Sequence, residues 1–151
     1  LAMILQDYFS LKGAHWDTTL LATDLSEEIL AQAREGRYLR ESVRSMPPQW
    51  QVSYFQAEDA LHMRITEHLR QKVVFRRFNL MEPVFPFRRR FHTIFCRNVM
   101  IYFDGPTRSA LARKFYDFLE PGGFLFIGHS EVIDRQAAPF VYVMPSVYQR
   151  R

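Results

Sequence analysis

Apolar positions recur along this chain in two periods, and the switches between them divide it into elements. Leu1, Ile4, Leu5 and Tyr8 fall at helical spacing, so residues 1 to about 11 read as a helix with one buried face, ended by Lys12-Gly13. Thr18 to Ala22 is short, β-branched and apolar, the pattern of a strand. A helical pattern then runs through Arg34, with Gly36 as its C-cap. Residues 37–72 interrupt the alternation. There Met46-Pro47-Pro48 punctuates the chain and Pro48 opens a short helix through Phe55. Leu61, Met63 and Ile65 then alternate with His62, Arg64 and Thr66, as in a half-exposed strand. The segment therefore reads as an insertion made of a helix and a small β unit.

Val73 to Phe78 resumes a strand that ends at Asn79-Leu80, and Pro83 to Phe91 is an irregular link. Phe91 to Phe95 is a buried strand cut off by Arg97 and Asn98. Asp104 is a natural N-cap with Pro106 in the first turn. Leu111, Phe115, Phe118 and Leu119 supply that helix's apolar stripe, and Pro121-Gly122-Gly123 stops it. Phe124 to Ile127 is the next strand, leaving through Gly128-His129-Ser130-Glu131. Phe140 to Met144 and Ser146 to Tyr148, broken by Pro145, close the chain as a hairpin. Strands alternating with helices before a terminal hairpin predict an α/β sheet with an antiparallel edge.

Composition narrows the class rather than the chemistry. A chain of 151 residues with 48% hydrophobic and 24% charged positions fits one globular domain with a real core. A net charge of +4 permits an anionic partner without naming one, and nucleic acid is not expected. The single cysteine, Cys96, excludes an internal disulfide, fits a reducing compartment and reads as a buried inert thiol. No run is long enough to span a bilayer. The amphipathic pattern is already under way at Leu1, which leads us to expect a piece of a longer protein.

Candidate chemistry sits where apolar runs end. In open α/β sheets ligands bind beyond the carboxyl ends of strands. Asp24, at one such end, either accepts hydrogen bonds from both hydroxyls of a ribose or caps the next helix with Glu27 three residues on. Asn79 is either a partner for a purine edge or a turn residue ahead of Pro83. Arg97 and Asn98 either line a site or enter water as the strand leaves the core. Arg88, Arg89 and Arg90 read as solvated. His15, His62, His68, His92 and His129 are too scattered to form a metal site.

Phe95 to Asp104, F-C-R-N-V-M-I-Y-F-D, resembles the signature of the chemotaxis receptor glutamate methyltransferases, the CheR family. A-T-D-L-S at Ala22 to Ser26 and A-R-E-G-x-Y at Ala33 to Tyr38 are similar to that family's second strand and following helix. L-E-P-G-G-F-L-F-I-G at Leu119 to Gly128 resembles a run shared by many methyltransferases of this class. The resemblance covers nearly all of the chain. It implies a Rossmann-like class I methyltransferase sheet with an antiparallel C-terminal hairpin, over residues 1–151, and residues 37–72 as a small inserted β subdomain. In some members that subdomain docks a peptide of the receptor tail, for which strand addition is the suitable mode.

The resemblance implies S-adenosylmethionine as cofactor, S-adenosylhomocysteine as product, and methyl ester formation on glutamates of the cytoplasmic domain of chemotaxis receptors. It gives Asp24 the ribose, Asn79 and Leu80 the adenine side, and Asn98 and Val99 further cofactor contacts. Tyr102 takes a positioning role facing the active site, and Arg97 either attracts the acidic acceptor or forms an internal ion pair. The tips at Asp24, Asn79 and Asn98 are thereby expected to converge on one nucleoside. The family's first central strand and glycine-rich loop would lie upstream of Leu1. Their absence leads us to expect that these 151 residues alone are weakly active or inactive, with exposed sheet edges that exchange or dimerise. A methyltransferase with another acceptor, or a non-catalytic module that reads a receptor tail, are the alternative readings.

Overall fold

A computed structural model describes residues 1–12, 16–134 and 136–151. The stop expected at Gly13, and His15, lie outside the described residues. The chain forms two compact units, residues 1–79 and residues 80–151.

In the first unit, α1 (Ala2–Lys12) is followed by β1 (Leu20–Asp24) and α2 (Glu27–Glu35). The strand starts two residues later than its sequence pattern: the Thr19 amide donates to Asp17 Oδ1 (3.1 Å) instead of to a strand partner. Pairing begins at Leu20, whose N–H donates to the Lys72 carbonyl (2.8 Å). β1 runs parallel to β5 (Val73–Arg77), from Leu20 opposite Val73 to Asp24 opposite Arg77. Gly36 closes α2 in the left-handed conformation at φ 60°, which glycine adopts without a Cβ penalty.

Between these strands lie β2 (Arg37–Leu39), α3 (Arg40–Arg44), α4 (Pro48–Tyr54), β3 (Phe55–Ala57), β4 (His62–Ile65) and α5 (Glu67–Arg70). The three strands form an antiparallel sheet in the order β2-β4-β3. Arg37 binds both Glu58 and Asp59 at 2.8 Å across the sheet. The Leu61 amide, foremost among several donors, holds the Asp59 carboxyl well below the usual carboxylate range. Val43, Tyr54, Phe55 and Leu69 are the core here, with Ala2, Met3, Trp50 and Met63 packed against it.

That packing corrects the expected face of α1. Leu1, Ile4 and Tyr8 are about half exposed, and Ala2 and Met3 are the residues that meet the core. Asp7 anchors the helix instead, accepting from Trp50 Nε1 (2.7 Å) and from the Tyr54 hydroxyl. Burial, and then this bond, push the Tyr54 phenol up to about 12.

The second unit starts with an irregular segment in which Phe85 is buried. Its ring meets Phe87, Phe115 and Phe118 at centroid separations of 5.8, 6.2 and 5.4 Å. β6 (Phe91–Cys96) runs parallel to β7 (Leu119–Ile127), and β7 pairs antiparallel with β9 (Val147–Arg150), which pairs with β8 (Phe140–Met144). Pro121-Gly122-Gly123 interrupts the register between the pairs Phe91–Leu119 and Thr93–Phe124, with Gly122 at φ 81°. A Cβ on Gly123 would stand 2.8 Å from the Glu120 carbonyl oxygen and 2.9 Å from that of His92.

α6 (Gly105–Phe118) is capped as expected: Asp104 Oδ1 accepts from the Thr107 amide at 2.9 Å. It buries Leu111, Ala112 and Phe115. Leu119, Leu125 and Ile127 of β7 are also buried. The Arg150 guanidinium donates to the carbonyls of Tyr116 (2.9 Å), Asp117 (3.2 Å) and Leu119, satisfying the exposed end of α6. Among the described residues no helix is long and apolar enough to cross a membrane.

Candidate functional site

Asp24 is the last residue of β1 and is exposed. The cap of α2 belongs to Ser26, whose Oγ accepts from the Ile29 amide (3.3 Å). Asp24 Oδ1 accepts from the Ser26 amide (2.8 Å), and its second carboxylate oxygen accepts no hydrogen bond from the described residues. Of the two readings of Asp24, helix capping is therefore excluded. The Asp24 carbonyl also accepts from the Phe78 amide (3.1 Å), fastening the end of β5 beside it. Asp24 and Asn79 thus occupy neighbouring tips of one parallel pair. Leu80 opens the second unit.

In that unit the parallel pairing ends at Cys96 opposite Ile127, and both chains then leave the sheet. Arg97 and Asn98 are exposed, Val99 is half buried, and a 3₁₀ turn over Met100–Tyr102 follows. Met100 is buried and plugs this turn into the core, which leaves Tyr102 81% exposed. Asn98 has φ 59°, a left-handed conformation uncommon outside glycine but better tolerated by Asn than by most residues. Arg97, Asn98, Val99 and Tyr102 are therefore gathered within a few residues at the tip of β6.

Sequence patterns gave no hint of the residue that fastens this tip. Glu131 is 5% exposed, the only buried charged side chain among the described residues. It accepts from the backbone amides of Asn98 (3.3 Å), Ile101 (3.1 Å) and Gly128. A Cβ at Gly128 would lie 2.7 Å from both Asn98 Oδ1 and Glu131 Oε2, so any larger residue would displace one of these side chains. The spacing Gly128-x-x-Glu131 is visible in the sequence, but it lies in a polar exit segment that gives no sign of burial. Beside Glu131 a cavity of about 320 Å³ is lined by His129, Val132, Phe140, Tyr142 and Tyr148.

The chemistry available at these tips is that of binding rather than of covalent attack. Cys96 is buried next to them, and burial, followed by the charge of Glu131, pushes its thiol up to about 12, so it is no nucleophile at neutral pH. The described residues contain no group of three or more His, Cys, Asp or Glu side chains able to hold a metal ion. In the first unit the strand tips carry an acceptor carboxylate at Asp24 and an amide at Asn79; in the second, the tip of β6 carries a guanidinium, an amide and a phenol at Arg97, Asn98 and Tyr102.

Comparison with known proteins gives these features a context. A family model described as "CheR methyltransferase, SAM binding domain" matches residues 1–148. A chemotaxis protein methyltransferase of Borreliella burgdorferi is 39% identical over 150 residues, covering 99% of this chain and 53% of that protein. A chemotaxis protein methyltransferase of Escherichia coli K12 is 34% identical over 151 residues, covering 98% of this chain and 52% of that protein. Chemotaxis protein methyltransferase 2 of Pseudomonas aeruginosa is 39% identical over 115 residues, or 74% of this chain and 41% of that protein. The chain thus spans about half the length of the curated relatives it matches.

Proposed function

We propose a reaction from a plain premise: the chain belongs to the CheR methyltransferase family, and its cofactor is S-adenosylmethionine. The complete protein methylates glutamate side chains in the cytoplasmic domain of chemotaxis receptors, leaving methyl esters and S-adenosylhomocysteine, and it works in the cytoplasm. The match over residues 1–148 is the observation that carries this reading. We assign the mixed α/β architecture to the Rossmann-like methyltransferase class, with residues 37–72 as its inserted subdomain.

The strand tips suit the cofactor in kind. A carboxylate with one oxygen free, at the carboxyl end of a parallel strand, supports a ribose diol as its ligand. Asp24 takes that role, and Asn79 with Leu80 takes the adenine. Asn98 contacts the cofactor through its amide and Val99 through its backbone or packing. When bound, the cofactor supplies an electrophilic methyl group on a sulfonium.

The chain's own residues need supply no general base. A glutamate side chain, with an ordinary pKa of about 4.3, reaches the site already ionised. The work is to orient the acceptor, hold it in line and keep water out. Arg97, exposed beside the tip, attracts the acceptor carboxylate, and Tyr102 positions it.

Calorimetric titration of the complete protein with S-adenosylmethionine tests these roles. Asn98→Ala weakens binding, whereas Tyr102→Ala keeps the native affinity and slows methyl transfer to receptor. Native affinity in Asn98→Ala would remove this residue from the cofactor site. Loss of cofactor binding in Tyr102→Ala would remove its acceptor role.

A further inference from the structure

We propose that Glu131 is a positioning residue for cofactor binding, one that sets the backbone of Asn98 without touching the cofactor itself. The inference rests on the reading that Asn98 contacts the cofactor. A buried carboxylate needs partners, and those of Glu131 are three backbone amides from two stretches of chain, 98–101 and Gly128. Oε2 accepts from Asn98, past the end of β6, and from Gly128, past the end of β7. Oε1 accepts from Ile101 in the 3₁₀ turn. One side chain therefore ties two adjacent parallel strand exits to the turn that carries Tyr102. Among the described residues no Lys, Arg or His is paired with it.

Two further observations make this a device for orienting Asn98 rather than a generic core bond. Asn98 sits at φ 59°, in the left-handed region, and Glu131 accepts from that residue's own N–H. The Asn98 amide also lies directly over Gly128, where a Cβ would stand 2.7 Å from Oδ1. The carboxylate thus fixes both the backbone of Asn98 and the bare glycine against which its side chain rests.

Glu131→Gln changes the bonding with little change of shape. The amide has one acceptor oxygen: at the Oε1 place it loses Asn98 and Gly128, at the Oε2 place it loses Ile101, and its NH₂ then faces a backbone donor, so either orientation loosens the segment from Asn98 to Ile101. The test is a double-mutant cycle in the complete protein, read as affinity for S-adenosylmethionine by calorimetry. Glu131→Gln lowers affinity about tenfold in the native background. In an Asn98→Ala background it changes affinity by less than about twofold, since the residue it orients is gone.

Native affinity in Glu131→Gln overturns the proposal. So does an equal loss in both backgrounds, which is what a merely structural bond gives. If Asn98→Ala alone binds normally, the reading of Asn98 fails, and the proposal falls with it. Should Glu131→Gln not fold, Glu131→Asp takes its place in the same cycle. It keeps both oxygens on a stem one carbon shorter, and the same affinity changes support or overturn the proposal.

Discussion

Replacing Asp24 by Asn separates two jobs that one carboxylate could be doing. Asp24 Oδ1 accepts from the Ser26 amide at 2.8 Å, and the Asn oxygen can keep that bond. The cap of α2 belongs to Ser26, so the helix end loses nothing. What Asn lacks is the second acceptor oxygen, because an NH₂ donor then stands where ribose hydroxyls would donate. Hydrogen bonds to a charged group contribute about 1.5–3 kcal/mol each, so losing the charge and one acceptor costs about 3 kcal/mol, roughly a hundredfold in Kd. At an exposed position that retains its structural bond, folding stability should stay within about 0.5 kcal/mol of native. Calorimetric titration of the complete protein with S-adenosylmethionine reads the first quantity and urea unfolding the second. Native affinity in Asp24→Asn refutes the ribose role, and a matching loss of stability shows that the residue supports the fold instead.

Other consequences follow from the core and from titrating groups. Leu125 has no exposed surface and lies in a strand paired on both sides, so Leu125→Ala should cost about 2–5 kcal/mol in urea unfolding. A cost under about 1 kcal/mol would mean that this core is not packed as described. Hydrogen bonds from Thr107, its side chain foremost, hold the Asp104 carboxyl below its ordinary value. Its contribution is therefore present above the unfolded value of about 3.9 and lost as pH falls through the lower folded one. Asp104→Asn should flatten the acid limb of the stability profile, and an unchanged limb contradicts the capping role. Burial pushes the Cys96 thiol up to about 12, so a disulfide reagent at pH near 8 should label it only as fast as the protein unfolds. Its stabilising contribution is present below the unfolded value of about 8.5 and lost as pH rises through the folded one. Immediate labelling of native protein would show that the thiol is not shielded.

Local signals were legible in the sequence wherever a side chain acts on its own backbone. Gly36 and Asp104 mark helix ends through conformational and hydrogen-bonding rules that need no tertiary partner. The Pro145-Ser146 break marks the hairpin, where Ser146 takes φ 65°. Signals failed where a distant segment decides. Periodicity shows that α1 has apolar positions, but not that Ala2 and Met3 rather than Ile4 and Tyr8 would meet the core. Thr18 and Thr19 have strand propensity, yet β1 begins only where the backbone of β5 is available to pair. Glu131 is the residue least visible in the sequence. An acid in a polar exit segment looks solvated until β6 and β7 bring three amides around it.

The destination of the methyl group tests the assignment most directly. The complete protein, incubated with methyl-labelled S-adenosylmethionine and the cytoplasmic domain of a chemotaxis receptor, should label that domain at glutamate. Mild alkali should then release the label as methanol, as an ester requires. Label that resists alkali, that enters RNA instead of receptor, or that is never transferred would contradict the assignment.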